Sequence, residues 1–327
     1  MKFPRRQFLQ LAAGGAALSA FSRISVAQSY PARPVRMIVP FAAGGQTDAV
    51  ARLIGQKLSE RLGKQYYVEN APGAGGNIGA GRALQAGADG YSILVMDGTT
   101  YVVNPNLYNT ASYDPYKDFA PIALPVTTTQ VLTVHPSMPV HTVQDLVALI
   151  KANPGKYTYA SAGIGSPAHL TSELFRTSIG LDLVHVPFNG AGPAVTSTLG
   201  GHTPIAFTSP ASCVAQVKQG NLRALAVAAK KRLQALPDVP TMAEAGFPQV
   251  ECEATVGFFA PAGTPKDVVE LLNREIDAIV LVPEVKARLA VLGFEPSPNT
   301  PAEAAVLVKQ EGAKWAKVIR DAHIKME

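Results

Sequence analysis

Cysteine is scarce in this chain: Cys213 and Cys252 are the only two among 327 residues, and neither lies near the amino terminus. That excludes a disulfide-built scaffold and leaves no thiol for lipid attachment beside an export signal. Two separate buried thiols are the expected state in a chain this large. Catalytic signatures are missing too. There is no Gly-x-Ser-x-Gly elbow, no Ser-x-x-Lys set and no His-Glu-x-x-His, so no catalytic residue is assigned. Gly63-Lys64 runs into Gln65, Gly155-Lys156 into Tyr157, and Gly73-Ala74-Gly75 meets Ile78 where a dinucleotide fingerprint needs glycine. No nucleotide or other cofactor is expected. His135, His141, His185, His202 and His323 have no ligand spacing, and His169 with Glu173, four apart, reads as a polar helix pair before it reads as a metal site.

No apolar run is long enough to span a bilayer, which takes about 20 residues. The stretch from Leu9 to Phe21 is shorter, follows Arg5-Arg6-Gln7-Phe8-Leu9 and precedes the small residues Ser25-Val26-Ala27. Residues 1–27 therefore read as a cleaved twin-arginine signal (a Sec-type signal being the alternative route), with the mature chain starting near Gln28 in the periplasm. A short membrane anchor is the competing reading. Lys2, Arg5, Arg6 and Arg23 all fall in that segment, which has no acid. Removing these four charges from the formal +5 leaves +1. The basic balance belongs to the signal, and nucleic acid is not an expected partner.

Roughly 300 mature residues suit two α/β lobes. Val35–Phe41 reads as a strand, Asp48–Leu62 as a helix with Val50, Ile54, Leu58 and Leu62 on one face, and Tyr66–Glu69 and Tyr91–Met96 as strands flanking a Gly76–Ala86 helix. This βαβ rhythm predicts a mainly parallel sheet covered by helices. The middle third repeats it with strands at Tyr157–Ser161, Leu183–Val186 and Ile205–Phe207. Ser166-Pro167, Gly192-Pro193 and Ser209-Pro210 mark the helix starts that follow. Capping boxes are expected at Thr142–Asp145, Thr264–Asp267 and Thr300–Glu303. Ile122–Val134 and Cys252–Ala260 lack the rhythm and read as extended crossings between lobes. Lobe one is thus placed at 28–128 plus 250–327 and lobe two at 129–249, against one continuous doubly wound domain.

Glycine-rich turns follow three of these strands. Pro40–Asp48 and Asn70–Gly79 lie in lobe one, and Ser161–Ser166 lies in lobe two. Each sits at the carboxyl end of an expected parallel strand and opens a helix, where open α/β sheets bind ligands and free N–H groups favour an anion. The first two turns contain no Lys or Arg, so an anion there is held by amides, hydroxyls and water. Asp48 is the exception to this logic: it either serves the helix start or meets a donor on the ligand. Phe41, Tyr101, Phe188 and Phe207 are candidate apolar walls.

At these loops the chain resembles the substrate-binding receptors of tripartite tricarboxylate transporters, the Bug-type family. The resemblance rests on Pro40–Arg52, Asn70–Gly79, Asp89-Gly90-Tyr91, Lys117–Ile122, Gly165–Leu170, His185–Gly190 and Ala260–Pro265, in order along the chain. It implies a two-lobed Venus-flytrap receptor of type II-like fold with two hinge crossings. It also implies a small carboxylate ligand between the lobes, delivery to membrane permease subunits, and a monomer without enzymatic activity. The resemblance implies ligand roles for Ala43, Gly44, Gly45 and Asp48 in lobe one and for Ser161, Ala162, Gly163, Ser166 and the Thr208 turn in lobe two; Phe41, Gly75, Asn77, Thr99 and Asn189 complete the candidate ligand-binding set. Ala43 stands where the family usually has Pro, and Thr208 where an Asp commonly follows Phe. The second departure disfavours a ligand amine and points to a di- or tricarboxylate or an aromatic carboxylate. An exported cofactor-free enzyme and a sensor-kinase input are the other functions compatible with these features.

Overall fold

The computed structural model describes residues 30–107, 112–321 and 324. The signal segment, its cleavage position and His323 lie outside them. Strand β1 (Val35–Val39) is almost wholly buried between β2 (Tyr66–Asn70) and β3 (Ser92–Asp97), and pairs with both in parallel. Helix α1 (Gln46–Leu62) packs Val50, Ile54 and Leu58, all fully buried, on this sheet. Each such side chain contributes about 1.5–3 kcal/mol by leaving water. Gly63, in the left-handed region at φ 68°, ends the helix by donating its N–H to Ser59 O.

After β2, a single 3-10 turn (Ala74–Gly76) leads into α2 (Asn77–Gln85), and β3 leads into α3 (Gly98–Leu107). The long β4 (Phe119–Thr129) is then separated by Gln130 alone from β5 (Val131–Val134), the first strand of a second sheet. That sheet is completed by α4 (Val143–Ala152), β6 (Thr158–Ser161), α5 (Pro167–Ser178), β7 (Val184–Pro187), α6 (Ala191–Leu199), β8 (Ile205–Thr208), α7 (Pro210–Lys218) and β9 (Arg223–Val227). The chain returns to the first sheet through β10 (Glu253–Pro261), α8 (Lys266–Val280), α9 (Pro283–Val291), β11 (Glu295–Pro296) and α10 (Pro301–Asp321).

The strand orders are β11-β4-β10-β3-β1-β2 and β7-β6-β8-β5-β9. Each contains the same arrangement: a parallel trio in the order second, first, third, then an antiparallel strand against the third. The sheets are mixed rather than mainly parallel, and the crossings are the cause. A strand that enters from the other lobe comes in at the carboxyl edge of the trio, so β5 and β10 must run against it. The crossings are bonded side by side. Ala228 N–H donates to Gln130 O at 2.8 Å, Cys252 N–H to Ala228 O at 2.9 Å, and Thr129 Oγ1 to Cys252 O at 2.9 Å.

Local signals fared unevenly. Reciprocal capping boxes form at Thr142 with Asp145 and at Thr300 with Glu303. None forms at Thr264: its hydroxyl donates to Pro261 O at 2.7 Å, and Pro265 becomes the N-cap of α8. Ser166-Pro167 and Ser209-Pro210 start helices, whereas α6 begins at Ala191, two residues before Pro193.

Candidate functional site

The carboxyl ends of both parallel trios converge on one small space. A cavity of about 40 Å³ is lined from the first lobe by Phe41, Ala42, Gly45 through Asp48, and Asp97. The second lobe contributes Ala162, Ser166 through Ala168, Ala191, Ala194 and Phe207 through Ser209, and Gln130 lines it from the crossing. An adjoining space of about 190 Å³ shares Phe41 and Ala162 and extends along Gly73–Gly76, Gly163, Ile164 and Pro187–Asn189. The two lobes touch around the cavity. Ala42 N–H donates to Asn189 O and Ser212 Oγ to Gly44 O, each at 3.3 Å, and Thr100 Oγ1 lies 3.3 Å from Gly165 O.

Helices α1, α5, α6 and α7 all present their N-termini here. Ser166 caps α5 by accepting from His169 N–H at 3.2 Å. The N-caps of the other three, Gly45, Gly190 and Ser209, accept no side-chain bond. The first amides of α1 and α6 are thus not taken by a cap side chain, while in α7 Pro210 has no N–H and Ser212 N–H donates to Ser209 O, which leaves Ala211; the helix dipoles add positive potential. No Lys, Arg or His lines the cavity. Gln46 Oε1 is buried there without a hydrogen-bond partner, which leaves capacity for a ligand; Thr208 Oγ1 has no nitrogen or oxygen partner and meets the Cys213 thiol.

Asp48 is engaged internally. Its carboxylate accepts from Gly44 N–H at 3.1 Å, Asn70 Nδ2 at 3.0 Å and Arg52 Nε at 3.0 Å, with Arg52 NH2 at 2.9 Å from the other oxygen. Burial pushes its pKa up, but the bonds from Arg52, Asn70 and Gly44 outweigh that and hold it below the ordinary value. Asp48 thereby fixes the shape of the first loop, and Arg52 neutralises its charge.

Of the residues expected from the sequence, Phe41, Gly45, Asp48, Ala162, Ser166 and Thr208 line the inner cavity, and Gly75, Gly163 and Asn189 the adjoining space. Ala43 faces a more open groove with Phe188 and His202. Gly44 lines neither space and instead braces Asp48 and Ser212. Asn77 turns back to donate to Ala74 O at 2.9 Å, and Thr99 is fully buried outside both spaces. Ser161 lies beneath its loop, its hydroxyl 2.7 Å from His185 Nε2. Tyr101 is no cavity wall: it stacks on Phe259 with ring centroids 4.0 Å apart and donates to Pro115 O.

His169 and Glu173 do not pair with each other. Glu173 accepts from Tyr159 Oη at 2.6 Å and from Arg176 NH2 at 2.6 Å. His169 accepts from Gly165 N–H at Nδ1 and stacks on His185 at 4.2 Å between centroids. Burial pushes His169 down to about 4, and burial together with His169 pushes His185 down to about 3.

Sequence reasoning missed Asp97, Gln46, Gln130, Ala191 and Ser209. The signal for Asp97 was available, since it ends β3 at the same sheet edge that carries the Pro40 turn. Burial raises Asp97 to about 6 against the bonds it accepts from Thr100 N–H at 2.7 Å and Thr100 Oγ1 at 2.9 Å.

Residues 50–324 match the family model described as the tripartite tricarboxylate transporter family receptor. Protein BugT of Bordetella pertussis is 34% identical over 302 residues, covering 92% of this chain and 93% of its own length. The periplasmic binding protein BugD superposes with a TM-score of 0.87 at 36% identity, covering 91% of this chain and all of BugD. An R. palustris protein solved with adipate superposes with a TM-score of 0.88 at 34% identity, over 90% of this chain and 99% of its own.

Proposed function

The chain belongs to the tripartite tricarboxylate transporter receptor family, and we propose that it captures a small organic carboxylate in the inner cavity and hands it to membrane permease subunits. One observation carries this reading: uncapped helix N-termini from both lobes meet at a cavity without a single basic side chain. Amides and helix dipoles hold a carboxylate there reversibly. The R. palustris relative solved with adipate shows that a receptor of this fold accepts a small organic carboxylate.

The lobes of this receptor are residues 28–128 with 250–327 and residues 129–249. They swing about the paired crossings at Gln130 and Cys252, and a bound carboxylate shared by both sets of amides holds them together. The mature protein acts in the periplasm as a monomer after twin-arginine export, and it releases its ligand chemically unchanged.

A thermal-shift screen of carboxylates against the mature protein tests this. Ligand at a hundred times Kd adds about 2.7 kcal/mol to the folded state. Ala168→Leu fills the cavity from α5 and is expected to remove the shift. A shift that survives this substitution would move the binding site elsewhere.

A further inference from the structure

The inner cavity is lined by a second buried carboxylate besides Asp48. Asp97 is 2% exposed, lines the cavity and forms no ion pair among the described residues. It caps α3, since Thr100 N–H and Oγ1 bond one to each of its oxygens. Capping alone does not demand a charge, because Ser, Thr or Asn supplies the same acceptor. A carboxylate offers about four acceptor positions; Thr100 occupies two of them and the backbone N–H of Asp97 itself bears on a third. Holding the remainder out of water is costly unless a donor meets them.

Its place in the fold is informative as well. Asp97 is the last residue of β3 and pairs with Val256 on the antiparallel strand β10. Thr208 is the last residue of β8 and pairs with Val131 on the antiparallel strand β5. The two residues therefore hold the same position in the two trios, and both line the cavity.

The other acidic groups nearby leave this charge standing. Asp48 is neutralised by Arg52. Glu311, behind Gly98, accepts from Thr255 Oγ1 at 3.3 Å, and burial with the charge of Asp97 pushes it up to about 7.

Resting on the carboxylate-receptor reading above, we propose that Asp97 determines specificity by accepting a hydrogen bond from the ligand. The helix N-termini take the ligand's carboxylate. Asp97, which shares the cavity lining with the unpartnered Gln46 Oε1, takes a donor carried elsewhere on the ligand, a hydroxyl or an ammonium. A second carboxylate in that place is repelled. The ligand class is thus a hydroxy- or aminocarboxylate, not a plain dicarboxylate.

Matched series test this by calorimetry: propionate, lactate and alanine, then succinate, malate and aspartate, each against the wild type, Asp97→Asn and Asp97→Thr. Both variants keep a cap for α3, and their unliganded melting temperatures report that the fold is intact. In the wild type the donor-bearing member of a series is expected to bind about ten- to a hundredfold more tightly than its plain counterpart. Both variants should erase that ratio and bind succinate more tightly. Whether lactate and malate or alanine and aspartate lead identifies the donor as hydroxyl or ammonium. A donor preference absent from the wild type, or unchanged in both variants, overturns the role of Asp97 while leaving the receptor standing. No binding by any of the six acids overturns the hydroxy- or aminocarboxylate assignment, while the wider carboxylate thermal-shift screen decides the receptor reading separately.

Discussion

Asp97 and Thr208 end the third strand of their respective parallel trios, and their side chains line the same cavity from opposite lobes. One is an acid with spare acceptor positions and the other a hydroxyl without a nitrogen or oxygen partner. The internal likeness of the two lobes thus ends in a chemical asymmetry at the ligand site.

Asp48 lines that cavity too, but its carboxylate is occupied by Gly44, Asn70 and Arg52. Asp48→Asn is expected to lower the unfolding free energy in urea by about 1–3 kcal/mol, since it breaks a largely buried bonded charge. Carboxylate affinity should fall with the loop's loss of shape, while the ranking of ligands stays the same. The depressed pKa of Asp48 makes its contribution complete above the unfolded value near 3.9, and it is lost as pH falls below that. Unaltered stability with an altered ligand ranking would instead put Asp48 in contact with the ligand.

The stacked His169 and His185 predict acid sensitivity of the lobe-two loop. His169 Nδ1 accepts from Gly165 N–H and therefore carries no proton, and Ser161 Oγ holds His185 Nε2. The charged groups against them are Glu173 and Arg176, already paired, with Tyr159 bonded to Glu173. Because the folded pKa of His169 is about 4 against 6.5 unfolded, the unfolded chain binds more protons between those values. Stability is complete above pH 6.5 and declines toward pH 4, by about 3 kcal/mol for His169. Urea titrations of His169→Gln should show a flatter pH dependence; an unchanged slope would count against the assignment.

Gly192 permits a close approach between lobes. A Cβ placed on it would lie 3.0 Å from Ala43 O, and its φ is not in the left-handed region. Gly192→Ala therefore tests contact without backbone strain. Affinity for the bound carboxylate is expected to drop about three- to tenfold, while the unliganded melting temperature holds or rises slightly, alanine being the better helix former. Calorimetry and melting curves on the same sample separate the two effects.

Cys213 and Cys252 are free and buried, with burial pushing their thiols up to about 12 and about 11. A disulfide-exchange titration should find neither thiol reactive in the folded protein and both reactive in denaturant without reductant. A folded protein that reacts within minutes would contradict the burial.

Short-range physics was legible along the chain. The βαβ rhythm anticipated β1, β2, β3, β6, β7 and β8, and Ser166-Pro167 marked the start of α5, because side-chain period and capping act over a few residues. The glycine turns at Pro40 and Ser161 led to Phe41, Gly45, Ala162 and Ser166, all of which line the cavity. What failed depended on competition between partners. Thr264 had the spacing of a capping box, yet the helix starts one residue later with Pro265 as its N-cap, and the Thr264 hydroxyl donates back to Pro261 O. His169 and Glu173 had helical spacing, yet Arg176, Tyr159 and His185 were better placed.

By itself the sequence determined two α/β lobes, their crossings and a family whose glycine-rich turns sit at strand ends. These follow from local propensity and from motifs contiguous in the chain. Only the tertiary structure decided that the crossings run antiparallel to each trio, that Asp48 is spent on Arg52 and Asn70, and that Asp97 shares a cavity with Thr208. Those outcomes hinge on which groups meet after the chain has crossed twice between sheets. Asp97 and Thr208 are 111 positions apart, and no local pattern records that they face one space.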